Sequence, residues 1–290
     1  MRIPKPVNGM FPNGMAYARW GTGPKKLLSI PGGPGNVVPT GMEQTVYRRA
    51  LRPLVESGYT AWIVTRKRNM PKGHTIEDMA DDYAQLIADE LGGKVDVVLG
   101  TSYGGMIGLY LAACHPDRFD HIAIAVAGYQ VSERGRTADY DFARRLSDGN
   151  TVEAFTALFK FMYPNLRLPG VARVFGALMG RVAYRDTHPS FESDVMVEAE
   201  AEVAFNAREI LPDISGPVLL VGGGQDLFFP REVIEETARL IPDCTLRIYE
   251  GKGHLQAASD KRLPRDLLAF VSQRSRVHPD RRAAAVGTGA

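Results

Sequence analysis

Six short apolar runs, at residues 27–30, 60–64, 95–99, 122–126, 218–221 and 245–249, constrain this chain more than any other feature. Each places apolar residues on successive positions rather than on alternate ones. Such runs suit strands covered on both faces, the usual condition of a parallel sheet. Helical patterns lie between them. The clearest spans residues 76–91, where Ile76, Met79, Tyr83, Leu86 and Ile87 share one stripe. Thr75 and Asp78 are placed to form a capping box at its start, and Gly92 and Gly93 to end it. Parallel strands joined by helices need right-handed crossovers. The expected fold class is therefore α/β, a doubly wound and mostly parallel sheet.

The strand rhythm stops near Gly128 and resumes at Val218. Residues 128–212 read as helical, so a helical insertion is expected there, within a core domain made of 1–127 and 213–273. Its aromatics include Phe142, Phe155, Phe159, Phe161, Tyr163, Phe175 and Tyr184. Most should pack the insertion onto the core, with a minority facing a ligand. The Arg-, Ala- and Gly-rich residues 274–290 are expected to be a disordered tail.

Four of the apolar runs end in segments that carry chemistry. After 95–99 comes Gly100-Thr101-Ser102-Tyr103-Gly104, followed by a helical run. A serine hydroxyl is a weak nucleophile unless it is exposed and paired with a base. A sharp strand-to-helix turn exposes it, and flanking glycines remove the side chains that would clash. After 27–30 comes Pro31-Gly32-Gly33-Pro34-Gly35. A glycine loop can aim backbone N–H groups at a developing oxyanion. Pro34 has no N–H, so Gly33 is the candidate donor, together with the N–H of Tyr103. After 218–221 comes Gly222-Gly223-Gly224-Gln225-Asp226, and after 245–249 comes Glu250-Gly251-Lys252-Gly253-His254. The candidate catalytic residues are Ser102, Asp226 and His254, all at the strand ends where open α/β sheets bind ligands. The other histidines, His74, His115, His121, His188 and His278, read as caps or surface residues. Asp96 reads as part of a strand interior, and Asp81 and Asp82 as a solvated helix face.

Composition removes several classes. The net charge is +2, with no concentrated basic face, so no nucleic-acid partner is expected. The run Arg66-Lys67-Arg68 reads as a solvated loop after a strand. No apolar stretch is long enough to span a bilayer, and prolines and glycines interrupt residues 1–15, so neither a membrane span nor a signal peptide is expected. The two cysteines, Cys114 and Cys244, make no metal spacing and no disulfide framework, which fits a cytoplasmic protein.

The four segments together resemble the α/β-hydrolase superfamily. The match runs over roughly residues 25–126 and 216–272, and His115-Pro116-Asp117-Arg118-Phe119 is similar to the turn that follows the nucleophile helix there. The resemblance implies a Ser102–Asp226–His254 triad, oxyanion donors at Gly33 and Tyr103, a cap over the site, and neither metal nor organic cofactor. The Gly-Gly-Pro-Gly loop further resembles the proline iminopeptidase branch. Pro31 stands where that branch typically has histidine, and residues 65–69 lack its acidic and glycine residues. An aminopeptidase would need cap carboxylates for a substrate ammonium. Glu198, Glu200 and Glu202 are the candidates, with a solvated acidic face as the expected reading. The expected activity is hydrolysis of a small or medium apolar carboxylic ester or lactone by a monomer or homodimer acting on a small molecule. Aminopeptidase, carbon–carbon bond hydrolase and ligand-binding protein with little turnover are the alternatives.

Overall fold

The structure, a computed structural model, describes residues 5–33, 37–165, 170–182 and 187–274. Pro34, Gly35, Tyr184, His278 and the expected tail beyond 274 lie outside the described residues.

The core strands are β1 (Val7–Met10), β2 (Ala16–Trp20), β3 (Lys25–Ile30), β4 (Tyr59–Val64), β5 (Val95–Thr101), β6 (Phe119–Ala125), β7 (Val218–Gly223) and β8 (Cys244–Tyr249). Helix α1 (Gly41–Glu56) joins β3 to β4, α2 (Ile76–Glu90) joins β4 to β5, and α3 (Tyr103–Cys114) joins β5 to β6. Between β6 and β7 lie α4 (Glu133–Ser147), α5 (Thr151–Met162), α6 (Val171–Val182) and α7 (Phe191–Ala204). Helix α8 (Arg231–Leu240) joins β7 to β8, and α9 (His254–Ala258) and α10 (Leu263–Arg274) follow. The sheet order is β1-β2-β4-β3-β5-β6-β7-β8, with β1 and β2 antiparallel and the rest parallel.

The six apolar runs form the six parallel strands, and five of them, in β3 to β7, bury both faces. The sixth, β8, is the edge of the sheet: it is mostly half-buried with Arg247 exposed, because among the described residues no further strand covers it. On one face Leu28, Ile30, Val98, Ile122, Ile124 and Leu220 pack with α2, α3 and α8. On the other, Leu27, Ile63, Val97, Leu99, Ala123 and Leu219 pack with α1 and α10. Helix α2 starts as expected, with Thr75 and Asp78 forming a reciprocal capping box. The strands β1 and β2 went unread because prolines and glycines surround them. Yet β2, paired with β1 on one side and β4 on the other, alternates buried with half-buried residues, the period of a strand with one face more fully covered.

The topology locates a crevice. The chain passes from β3 outward to β4 and then returns to β5 on the other side of β3. Loops leaving the carboxyl ends of β3 and β5 therefore diverge, and a ligand fits between them. The loop after β3 begins at Pro31 and the turn after β5 holds Ser102. Helices α4 to α7 share a small apolar cluster of their own, including Phe142, Phe155, Phe191 and Val195.

Candidate active site

Ser102 has φ 53 and ψ −117, a conformation that costs a non-glycine residue about 1–3 kcal/mol. Neighbouring hydrogen bonds hold it there. Its N–H donates to the carbonyl of Ala125 at 2.8 Å, and its own carbonyl accepts from Gly105 N at 2.7 Å and Met106 N at 3.2 Å. A Cβ on Gly104 would collide with the Ile30 carbonyl, and one on Gly100 with the Gly104 carbonyl, so the turn closes only around glycines. Tyr103 opens α3 with its N–H directed out of the helix.

The loops after β7 and β8 are zipped together: Gly224 N donates to the Tyr249 carbonyl at 3.1 Å and Gln225 N to that of Lys252 at 2.8 Å. This sets Asp226 beside His254. Nδ1 of His254 lies 2.7 Å from Asp226 Oδ2, and its Nε2 lies 2.9 Å from Ser102 Oγ. Asp226 is 4% exposed, and its Oδ1 accepts from the N–H groups of Phe228 at 2.9 Å and Phe229 at 3.2 Å. With one oxygen fixed by the backbone, the other is aimed at the imidazole. The rings of Phe228 and Phe229 lie 4.8 and 6.1 Å from that of His254, and Phe161 of α5 packs on Phe228 at 4.8 Å. Burial pulls His254 toward the neutral form. The charge and hydrogen bond of Asp226, helped by the charge of Asp139, outweigh it, and its pKa rises above the ordinary 6.5.

Arg66 is not solvated: it is 1% exposed, in the first position after β4 but one. Its Nη1 donates to the Pro31 carbonyl at 2.8 Å and its Nη2 to the Gly33 carbonyl at 2.7 Å. Nε and Nη2 also donate to Glu198 at 2.9 and 3.1 Å, and the guanidinium sits 5.0 Å from the centre of the Tyr103 ring. A charge that deep needs a partner, and Glu198 on α7 supplies it. Gly33 has φ 69, and the place a Cβ would occupy is open space.

Nor is the acidic face of α7 solvated. Asp194, Glu198 and Glu202 recur every fourth residue and are 0%, 0% and 4% exposed, while Glu200 points out. Asp194 accepts from the N–H groups of Asn69 at 2.9 Å and Met70 at 2.8 Å. Glu202 instead faces Asp139 of α4. Burial, then the charge of Asp139, push the Glu202 carboxyl well above the carboxylate range. Desolvation carries Asp139 to about 6. Oε1 of Glu202 is buried and receives no hydrogen bond among the described residues. Sequence reasoning missed Asp139, which has no local signal, and misread Arg66, whose signal was its place at the carboxyl end of a strand.

A sequence profile of the alpha/beta hydrolase fold matches residues 39–259. The chain belongs to that family. Among curated relatives, a protein of Caulobacter sp. (strain K31) proposed to be a carbamate hydrolase, RutD, is 30% identical over 192 residues, or 64% of this chain and 68% of the relative. The pimeloyl-[acyl-carrier protein] methyl ester esterase of Neisseria meningitidis serogroup A is 31% identical over 195 residues, 63% of this chain and 60% of that protein. A crystal structure of a hydrolase from Pseudomonas aeruginosa PA01 shares the fold with TM-score 0.69 and 18% identity, covering 92% of this chain and 98% of that one.

In this α/β hydrolase the other described histidines have partners apart from Ser102. His74 bonds Asp82 at 2.9 Å, and His115 bonds Asp81 at 2.6 Å. His121 lies within β6 against Phe270, rather than before the strand. His188 is 9% exposed beside Ser190, so it is no surface residue. Among the described residues, no group of three or more His, Cys, Asp or Glu side chains could hold a metal ion, and no helix is long and apolar enough to cross a membrane.

Proposed function

We propose that this α/β hydrolase is a serine hydrolase that cleaves a small or medium apolar carboxylic ester or lactone through an acyl-enzyme on Ser102. The observation that carries the reading is the imidazole of His254, with one nitrogen 2.7 Å from Asp226 and the other 2.9 Å from Ser102. Nε2 of His254 takes the hydroxyl proton as Oγ attacks the carbonyl carbon, and Asp226 stabilises the imidazolium that results. The N–H groups of Gly33 and Tyr103 receive the oxyanion. The protonated His254 then gives its proton to the leaving alcohol, and water repeats the sequence on the acyl-enzyme. Helices α4–α7 act as the cap, and Phe161 and Phe228 give the acyl side an apolar wall. The methyl ester named for the Neisseria relative supports ester chemistry. The free thiols Cys114 and Cys244 suit the cytoplasm.

The test is initial rates on nitrophenyl esters of graded acyl length, beside prolyl and alanyl anilides. Ser102→Ala should lower ester turnover by about 10³-fold or more. Equal turnover in the two proteins rejects the reading.

Glu202 favours a second reading, an aminopeptidase-like hydrolase. Its buried Oε1 has no donor, and Asp139 lies beside it toward His254. Two carboxyls there suit a substrate ammonium or another N–H donor near the scissile bond. Glu198 does not serve, because Arg66 occupies it. Anilide cleavage that Glu202→Gln abolishes, with ester cleavage kept, selects this reading over the first.

A further inference from the structure

The geometry points to Arg66 as a positioning residue for the oxyanion hole, clamping the Pro31–Gly33 loop from behind and tying it to helix α7. The inference rests on the serine-hydrolase reading above.

Two carbonyls of the loop, those of Pro31 and Gly33, accept from one guanidinium at 2.8 and 2.7 Å. They flank the Gly32–Gly33 peptide, the unit that carries the candidate donor N–H of Gly33. A trans peptide is planar with its C=O and N–H opposed, so pinning the units on either side limits how the one between can turn. Gly33 has no side chain, and among the described residues nothing lies within 4 Å of where a Cβ would stand. Gly32 rests directly on the nucleophile, where a Cβ would come within 2.9 Å of that of Ser102. A small rotation of this loop would therefore move the donor relative to Oγ.

The second donor depends on the same cation. The Arg66 guanidinium lies 5.0 Å from the Tyr103 ring centre, and the Tyr103 hydroxyl donates to the Glu198 carbonyl at 2.8 Å. Glu198 takes the remaining edge of the guanidinium. Asp194, one turn earlier on α7, holds the N–H groups of Asn69 and Met70 just beyond Arg66. Seating α7 and shaping the hole thus become one event. A purely stabilising role accounts poorly for this arrangement. Buried ion pairs are often matched or bettered by apolar side chains of similar volume. An arginine here spends donors on two loop carbonyls, which a lysine, with one compact ammonium, cannot span together with Glu198.

The test follows covalent labelling of Ser102 by a fluorophosphonate probe. Oγ bonds to phosphorus, fluoride leaves, the serine proton passes to His254, and the phosphoryl oxygen occupies the oxyanion position. Arg66→Lys, which keeps the charge opposite Glu198, should slow the labelling rate constant by about 10²-fold, the scale of a lost oxyanion donor. The final labelled fraction and the pH midpoint set by His254 should stay native. The double variant Arg66→Met/Glu198→Gln, which leaves no unpaired buried charge, should show the same slowing. A folded Arg66→Lys that labels at the native rate overturns the inference. So does a variant whose labelled fraction falls while its rate constant stays native, because that is the mark of a structural role alone. Native protein that does not label, or Ser102→Ala that labels as fast, sinks the serine-hydrolase reading instead.

Discussion

The first two turns of helix α7 and its last turn present the same residue type to the same side, and the surroundings treat them in opposite ways. Asp194 and Glu198 are met by backbone N–H groups and by Arg66. Glu202, on the same stripe, is met by another carboxyl. The first region is electrically closed and fastens the helix to the loops after β3 and β4. The second is open, and it borders His254. An acid whose needs are met from within the fold serves architecture, and one left wanting a donor is free for a ligand.

That contrast can be broken by removing partners one at a time. The largest effect is expected for Arg66→Met, which strands Glu198 in the interior and should lower unfolding free energy by about 3–5 kcal/mol. Adding Glu198→Met should restore most of it, and urea unfolding of the two variants checks both. A smaller loss, about 1–3 kcal/mol, is expected for Asp194→Ala, which takes the acceptor from the buried Met70 amide and leaves that of Asn69 only the Ser190 hydroxyl.

At the open end the sign reverses. Asp139 is raised from 3.8 to about 6, so between those pH values the folded chain keeps a proton that the unfolded chain has lost. Stability therefore falls as pH rises through that window. Asp139→Asn should gain on the native chain across it, as melting temperatures against pH will show. The same variant removes a charge that favours the imidazolium of His254, so the acid limb of the pH–rate profile should move down by a fraction of a unit. The smallest effect is expected at the surface, where Arg239 pairs with Glu236 in solvent. Arg239→Ala should change stability by about 0–1 kcal/mol. A larger loss there would mean that exposure does not separate the two kinds of pair.

Much of the candidate site was legible because it is written locally. Ser102, Asp226 and His254 each follow an apolar run, and such a run announces its own end when glycines and a polar residue follow. The reading of α7 failed for the complementary reason. Alternating Glu and Ala look the same on a solvated helix as on one whose acidic stripe is buried. Only a cation 132 positions earlier in the chain, placed by β4, distinguishes them. Arg66 was misread in the same way, since a basic run after a strand is solvated unless something covers it. Asp139 carries no local pattern and emerges only where α4 packs against α7.

The sequence by itself determined the parallel sheet, the order in which the candidate nucleophile, acid and base occur, and the end of the sheet on which they lie. These follow from hydrophobic period and from turn chemistry, which act over a few residues. Tertiary structure alone decided which charges are buried and with whom. Such pairing depends on how elements far apart in the chain are packed, because the cost of burying a charge is settled by whichever partner the fold brings within reach.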